Sequence, residues 1–276
     1  MKKLHVLISL LVVAAFALTA CGGGAPAAQG GGPSINPKTG LYDLGGKTIT
    51  VAVENAYPPF NSIDEATGEG IGWDYDVVKE ICKRINCVPE FKQAAWDGIF
   101  PAMHAGEYDM LADGVTSYPY RYWAVDFSVP YSLVSQQLLV RADDTHSIED
   151  FKADANLKVG TQIGTTNYIA ATEAFPDKEI LTYSDFGAAV LALLAGDIDG
   201  VVLDDTAAFG FMQENVGKLK AAGAVKTGDA LAFVFPPYSD LVNPVNSALR
   251  AMHDDGTLKQ LNEKWGLAAP PEEPAE

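Results

Sequence analysis

The strongest constraint on the fold is a repeated alternation of strand-type and helix-type patterns along the chain. Residues 47–53 alternate Thr, Val and Ile as a strand does, and Asp74 is then expected to cap a helix that places Val77, Ile81 and Ile85 four residues apart. The same order recurs, with strands predicted at 88–91, 108–112, 157–161, 179–183, 198–203 and 231–235, and helices at 97–105, 166–175, 186–195, 241–253 and 258–265. This alternation predicts an α/β fold of parallel sheets with helices on both faces.

A short pattern occurs twice. Ala-Gly-Glu-Tyr-Asp at 105–109 leads into a strand that ends at Asp113-Gly114, and Ala-Gly-Asp-Ile-Asp at 195–199 leads into one that ends at Asp204-Asp205. Ligands of open parallel sheets bind beyond the carboxyl ends of the strands. The repeat therefore favours two lobes whose strand ends face each other across a cleft.

The charge of the chain excludes some functions. Its 276 residues contain 19 Lys plus Arg and 36 Asp plus Glu, so the formal net charge is −17. A nucleic-acid binder needs a basic surface to displace phosphate counterions, and attachment to anionic lipid needs basic patches. We therefore expect neither nucleic acid nor an anionic membrane surface as a partner, and we expect a monomer.

The N-terminus has the pattern of an export signal. Lys2 and Lys3 precede an apolar run over residues 4–18, which is too short for a comfortable membrane span. The run ends in Leu-Thr-Ala-Cys at 18–21, which resembles a bacterial lipobox. We expect residues 1–20 to be a signal peptide that is cleaved before Cys21, with lipid attached to the Cys21 sulfur. The alternative is an uncleaved anchor.

The segments on either side of the folded part have unusual compositions. From Cys21 to Gly32 the chain consists mainly of Gly, Ala and Pro, so residues 21–40 are expected to be a flexible tether. Residues 268–276 are rich in Pro and Glu and are expected to be a disordered tail. The folded unit is then about 41–266.

Two cysteines remain if Cys21 carries lipid. Cys82 lies near the end of a predicted helix and Cys87 just beyond it, so a short disulfide-closed loop is geometrically feasible. Export would place the pair in an oxidising compartment. Two buried thiols remain the alternative.

Polar residues that suit an anion follow two of the predicted strands. Gly114, Thr116 and Arg121 come after one strand, and an Arg guanidinium donates two parallel hydrogen bonds to a carboxylate. The Gly-Thr-Thr turn at 164–166 precedes a helix whose N-terminal N–H groups favour an anion. The four His residues are scattered without metal-ligand spacing, so no metal or cofactor is expected.

A carboxylate and aromatic rings complete the set of candidate ligand-binding residues. Asp204-Asp205-Thr206 lies at another strand end, where a carboxylate can pair with an ammonium group. Tyr57 and Trp96 lie where aromatic rings can clamp an aliphatic chain or a cation. Together these groups match a zwitterion, and they do not match a common catalytic set.

The order of several motifs between residues 47 and 266 resembles the bacterial extracellular solute-binding proteins of family three, the polar amino-acid binders of ABC importers. The matching strings are AYPPF at 56–60, GWDYD at 72–76, WDGIFPA at 96–102, GVT at 114–116 with Arg121, DFSVPY at 126–131, GTT at 164–166, DDT at 204–206 and DGT at 255–257 with KW at 264–265. The resemblance implies a two-lobed periplasmic-binding-protein fold of type II with two crossing strands. By analogy, the first lobe is 41–133 plus 234–267 and the second is 134–233.

The same resemblance implies roles for individual residues. Arg121 would bind an α-carboxylate together with the N–H groups of Thr116 and Thr166. Asp205, the Gly114 carbonyl and the Thr116 hydroxyl would take the α-ammonium. Tyr57 and Trp96 would enclose the ligand side chain, while Glu54 and Gln162 would meet its distal group. The implied binding set is Glu54, Tyr57, Trp96, Gly114, Thr116, Arg121, Gln162, Thr165, Thr166 and Asp205.

Departures from the family pattern bear on the ligand. Glu54 is longer than the usual Asp, and Asp113 is an additional acid before Gly114. Two carboxylates near a distal pocket favour a cationic or amide side chain over an acidic one. The implied function is a lipid-anchored binding protein, in the periplasm or on the cell surface, that serves an ABC permease and is not an enzyme. The alternative is an enzyme of the same fold, such as a cyclohexadienyl or arogenate dehydratase.

Overall fold

The computed structural model describes residues 33–267. The predicted signal peptide 1–20, Cys21 and the tail 268–276 lie outside the described residues. No helix within 33–267 combines the length and the apolar composition needed to span a bilayer.

Strands and helices alternate over the described range. The strands are Ser34–Ile35 (β1), Tyr42–Asp43 (β2), Lys47–Val53 (β3), Ala56–Tyr57 (β4), Asn61–Ile63 (β5), Gly70–Ile71 (β6), Cys87–Gln93 (β7), Met110–Leu111 (β8), Asp126–Phe127 (β9), Ser132–Arg141 (β10), Val159–Gln162 (β11), Ile180–Tyr183 (β12), Gly200–Asp204 (β13), Leu219–Leu231 (β14) and Val234–Phe235 (β15). The helices are Trp73–Ile85 (α1), Ile99–Ala105 (α2), Ile148–Ala153 (α3), Thr166–Ala174 (α4), Phe186–Ala195 (α5), Asp205–Glu214 (α6), Val242–Asp254 (α7) and Thr257–Lys264 (α8), with a 3-10 helix at Pro119–Trp123.

Two five-stranded sheets organise the molecule. The first has the order β7-β3-β8-β15-β9 and the second the order β12-β11-β13-β10-β14. In each sheet four strands run in one direction and one is reversed, β15 in the first and β10 in the second. We call the first sheet with α1, α2, α7, α8, the 3-10 helix and the β4-β5-β6 sheet the first lobe, and the second sheet with α3–α6 the second lobe.

Both faces of each sheet carry helices, as the alternation predicts. In β3, Val51 packs with the cluster that includes α1 and α7, while its neighbour Ala52 packs on the other face with α2. In β13, Val201 packs on the side of α5, and Val202 on the side of α3 and α4. Successive strand residues point to opposite faces, so both faces of the two sheets are buried.

Two strands connect the lobes. β10 leaves the first lobe and β14 returns to it, and they pair antiparallel from Ser132 opposite Leu231 to Arg141 opposite Leu219. At the lobe boundary the Tyr131 N–H donates to the Leu231 carbonyl, and Leu231 also forms a bridge with Thr116. The crossing strands therefore start beside the segment that carries Thr116.

Several element ends differ from the sequence-based expectation. The expected tether 21–40 ends earlier, because β1 pairs with β2 through a turn in which the Asn36 N–H donates to the Leu41 carbonyl. Asp74 does not cap α1. Gly72 precedes the helix, and Asp74 is fully buried in its first turn, where its carboxylate accepts a hydrogen bond from the Asn61 side chain.

The cysteine pair forms a disulfide. Cys82, in the last turns of α1, is bonded to Cys87, the first residue of β7. Asn86, between them, ends the helix in the left-handed conformation with φ of 54°. Of the two alternatives that the sequence leaves open, the structure has the cross-linked one.

Candidate functional site

The cleft between the lobes is lined by residues from both. Nine of the ten residues expected at the site line one pocket, namely Glu54, Tyr57, Trp96, Gly114, Thr116, Arg121, Gln162, Thr165 and Thr166. Asp113, Asn167, Phe186 and Asp204 line it as well, and Asp205 does not. These residues follow the carboxyl ends of strands in both sheets, where ligands of α/β folds bind.

Arg121 is the cation among the residues that line the pocket. It lies on the 3-10 helix and is 3% exposed, and its Nη1 donates to the Thr116 carbonyl at 2.9 Å. Its guanidinium lies 4.6 Å from the ring centre of Phe100 and 5.4 Å from that of Trp96. Its Nε and Nη2 have no hydrogen-bond partner within residues 33–267. Burial lowers the pKa of Arg121, although a guanidinium stays charged at neutral pH.

The second lobe contributes the N-terminus of α4. Thr165 caps this helix, because its hydroxyl accepts a hydrogen bond from the Tyr168 N–H. Thr166, the first helical residue, turns its hydroxyl towards the first lobe, where it lies 3.1 Å from the hydroxyl of Thr116. The free N–H groups of the first helical turn favour an anion at this end.

Asp204, and not its neighbour Asp205, supplies the carboxylate of the second lobe. Asp204 is the last residue of β13, is 2% exposed, and accepts hydrogen bonds from the Tyr57 hydroxyl and from Gln136 Nε2. Asp205 starts α6, where its carboxylate accepts from the N–H groups of Thr206 and Ser135. The predicted role of Asp205 in ligand binding stays a prediction; in the structure Asp205 is the first residue of α6 and does not line the pocket.

The aromatic residues form the walls of the pocket. Tyr57 is buried, with its ring 5.4 Å from that of Phe60 and 5.6 Å from that of Phe186 in the second lobe. Gly114 has φ of 55°, and a Cβ there would lie 2.2 Å from the Tyr57 ring. Glycine is therefore required at 114 both by the backbone conformation and by the ring.

Three carboxyl groups line the pocket. Glu54 follows β3 and accepts a hydrogen bond from Gln162 Nε2 at 2.8 Å, across the cleft. Burial, and then the charge of Asp113, raise the pKa of Glu54 to about 8. Burial raises the pKa of Asp113 to about 7 and that of Asp204 to about 6. A pocket with three acids and one guanidinium favours positive charge in what it binds.

Two amide side chains connect these acids to further acids behind the pocket. Asn61 Nδ2 donates to Asp113 at 2.8 Å and to Asp74 at 2.9 Å. Gln136 Nε2 donates to Asp204 at 2.9 Å and to Asp229 at 3.2 Å. Gln136 is on β10 and Asp229 on β14, so the amide that bonds Asp204 comes from one of the strands that connect the lobes and also bonds the other.

The sequence-based set omits four lining residues. Asp204 belongs to the Asp-Asp-Thr motif at 204–206, and Asp113 is the additional acid before Gly114. Asn167 and Phe186 each follow a turn at a strand end, which is the same signal that points to Thr166. Gln136, which does not line the pocket, carries no local signal because it lies inside a long strand.

Comparisons with known proteins agree with this geometry. ABC transporter arginine-binding protein 1 of Escherichia coli K12 is 28% identical over 222 residues, which cover 79% of this chain and 90% of that protein. The L-cystine-binding protein TcyA of Bacillus subtilis is 30% identical over 274 residues, which cover 96% and 97%.

A solved structure shares the fold. The ancestral amino acid-binding protein AncCDT-1, a precursor of cyclohexadienyl dehydratase, superposes with a TM-score of 0.71 at 32% identity over 79% of this chain and 94% of that one. The expected two-lobed type II fold is thereby confirmed. The family model of bacterial extracellular solute-binding proteins, family 3, matches residues 49–268, and the chain belongs to this family.

Proposed function

We propose that this protein captures a free polar amino acid in the cleft and presents it to the permease of an ABC importer. The observation that carries the proposal is that Arg121 and Asp204, from opposite lobes, line one pocket, while two guanidinium nitrogens of Arg121 have no partner within residues 33–267. An α-amino acid carries a carboxylate and an ammonium on one carbon, and it matches this pair of opposite charges.

Each end of the amino acid has its own receptor. The guanidinium of Arg121 takes the α-carboxylate, and the N-terminus of α4 at Thr166 faces the same group. Asp204 takes the α-ammonium together with the Gly114 carbonyl and the Thr116 hydroxyl. This assignment gives Asp204 the role that the sequence suggested for Asp205.

The remaining residues surround the ligand side chain. Tyr57 and Trp96 enclose its aliphatic part, while Glu54 and Gln162 contact its distal polar group. Relatives named for arginine and for cystine support a polar amino acid, since both compounds have polar distal groups.

Binding is coupled to closure of the cleft. The ligand touches Arg121 and Asp204 together only when the lobes meet, so it shifts the population towards the closed form by its differential affinity. A ligand with a dissociation constant near ~1 µM binds with about 8 kcal/mol, which exceeds an opening free energy of a few kcal/mol.

The proposal is tested by calorimetry of the mature protein with each of the twenty amino acids, and by mass spectrometry of ligand released from gently purified protein. We expect micromolar or tighter binding of polar amino acids. Arg121→Ala abolishes it without loss of the folded state, whereas Arg250→Ala, at an exposed position of α7, leaves it unchanged. Retained affinity in Arg121→Ala contradicts the proposal.

We infer further that the protein is exported and held on the membrane by a lipid on Cys21. The support is the basic, apolar and Leu-Thr-Ala-Cys sequence of residues 1–21, together with membership of an extracellular family. Cys21→Ser and globomycin treatment should each release the protein from the membrane fraction. Unchanged membrane retention of Cys21→Ser contradicts the lipid anchor.

A binding function is favoured over catalysis. The curated relatives compared above are named as binding proteins, and AncCDT-1 is described as an amino acid-binding protein that preceded a dehydratase. We therefore infer that the protein is not an enzyme. Turnover of arogenate or prephenate by the purified protein would contradict this inference.

A further inference from the structure

The pocket holds more carboxyl groups than the α-ammonium of a ligand can pair with. Glu54, Asp113 and Asp204 line it with carboxyl groups, and Arg121 is the cation that lines it. In the proposed function Arg121 meets the ligand carboxylate and Asp204 meets its ammonium. Glu54 and Asp113 then remain without a positive partner.

Hydrogen bonds fix the positions of both remaining acids. Glu54 accepts from Gln162 Nε2 and from the backbone N–H of Trp96. Asp113 accepts from Asn61 Nδ2 and from the backbone N–H of Glu54, so its carboxyl group lies against the main chain of Glu54. All four donors are neutral amides, which orient the carboxyl groups without cancelling their charge.

The surroundings of the pair add negative charge. Asp74 accepts a hydrogen bond from the same Asn61 side chain as Asp113. The charge of Asp185, at the N-terminus of α5, raises the pKa of Glu54. The buried Tyr57 and Tyr131 hydroxyls lie nearby and are neutral at physiological pH. Within residues 33–267 neither Glu54 nor Asp113 forms an ion pair. Burial, and then the charge of Asp113, raise the pKa of Glu54.

We infer that Glu54 and Asp113 together form a receptor for a cationic side chain, a guanidinium or an ammonium, and that Asp113 determines this specificity. The inference rests on the proposed function, since it assigns the distal end of the same pocket. Without such a cation one of the two carboxyl groups holds a proton, which leaves a single negative charge on the pair. When the cation enters, the O–H bond of that carboxyl breaks and its proton passes to solvent.

The test compares ligands of similar shape and different charge. Dissociation constants are measured by calorimetry for arginine and citrulline, and for lysine and norleucine. We expect the wild-type protein to prefer arginine over citrulline by about 100-fold, and Asp113→Asn to reduce this ratio by about 10-fold or more. Asp74→Asn is the matched control, because Asp74 shares Asn61 with Asp113 but does not line the pocket. Its ratio should stay within about threefold of the wild-type value.

A second measurement needs no variant. Titration of the wild-type protein at pH 7 in two buffers of different ionisation enthalpy should reveal a proton released with arginine and none with citrulline. Tight binding of neutral amino acids with no preference for cationic ones overturns this inference and leaves the proposed function standing. An unchanged arginine-to-citrulline ratio in Asp113→Asn, or a drop of equal size in Asp74→Asn, also overturns it. Failure of every amino acid to bind contradicts the proposed function itself.

Discussion

The hydroxyl of Thr116 in the first lobe lies 3.1 Å from the hydroxyl of Thr166 in the second. Gln162 and Tyr57 make two more polar contacts across the same cleft, with Glu54 and Asp204. The lobes are therefore in contact around the pocket, which corresponds to the closed arrangement. This geometry allows the contributions of individual residues to closure and to ligand binding to be tested separately.

The neighbouring acids Asp204 and Asp205 should differ sharply in function. Asp204→Asn removes the buried carboxylate that faces the pocket, so amino-acid affinity should fall by roughly 30-fold or more. Asp205→Asn changes a carboxylate that accepts hydrogen bonds from backbone N–H groups of its own lobe, and affinity should change less than about threefold. Calorimetry on both variants measures the difference, and equal losses would contradict the assignment to Asp204.

Closure should be sensitive to a methyl group at Gly210. This glycine lies on α6, and a Cβ there would be 2.4 Å from the carbonyl oxygen of Pro58 in the first lobe. Gly210→Ala should weaken ligand binding by about 10-fold because the closed form is disfavoured, while the change to Ala favours the helix by up to ~1 kcal/mol.

A glycine on α5 provides the control for this variant. A Cβ at Gly187 would meet the side chain of Asp185 in its own lobe and no backbone of the first lobe. Gly187→Ala should therefore leave ligand affinity unchanged. Small-angle scattering with saturating ligand should show a more open Gly210→Ala protein, and a fully closed one would contradict the steric argument.

The buried acid Asp74 should make stability fall as pH rises. Burial raises its pKa to about 7 in the folded protein from an ordinary value of 3.8. The folded state keeps a proton that the unfolded chain loses, so this contribution is fully present below pH ~4, declines as pH rises, and is lost by pH ~7. Three units at about 1.4 kcal/mol each give on the order of 4 kcal/mol. Asp74→Asn should remove this decline and exceed the wild type in stability at pH 8.

Urea unfolding of wild type and Asp74→Asn at pH 5 and pH 8 checks this expectation. The difference in the free energy of unfolding between the two proteins should grow from pH 5 to pH 8. A constant difference would mean that Asp74 does not titrate in this interval.

The disulfide should contribute stability without affecting ligand binding. Cys82 and Cys87 are five positions apart, and closing so short a loop stabilises the folded state by about 2 kcal/mol in the chain-entropy model. Reduction should lower the free energy of unfolding of the wild type by this amount and leave amino-acid affinity unchanged. A Cys82→Ala, Cys87→Ala double variant should be insensitive to the reductant, and a wild type equally insensitive would contradict the cross-link.

Some elements can be predicted from local sequence alone. β3 and α5 match the expected bounds, since one has alternating β-branched residues and the other ends at Gly196 in the left-handed conformation. The capping box of Ser147 and Asp150 depends on local sequence as well, because both of its hydrogen bonds join residues three positions apart.

Other elements depend on tertiary contacts. The sequence of β14 is rich in Gly, Lys and Ala, which have low strand propensity, and it is a strand because β10 pairs with it along its whole length. Whether Asp204 or Asp205 lines the pocket depends on where β13 ends, because successive side chains of a strand point to opposite faces. The cluster of Asn61, Asp74 and Asp113 joins three distant segments, which no local pattern indicates.

The position of β15 has a consequence for the order of assembly. β8 and β9 are neighbours in the chain but not in the sheet, because Val234 pairs with Leu111 on one side and with Phe127 on the other. A nascent polypeptide that emerges N-terminus first can complete the contiguous sheet built on β10–β14 before Val234 is available. Pulse-labelled hydrogen exchange during synthesis on the ribosome should then find amide protection in that contiguous sheet earlier than at Leu111 and Phe127. The first lobe, which contains segments from both ends of the described chain, would then complete its fold last.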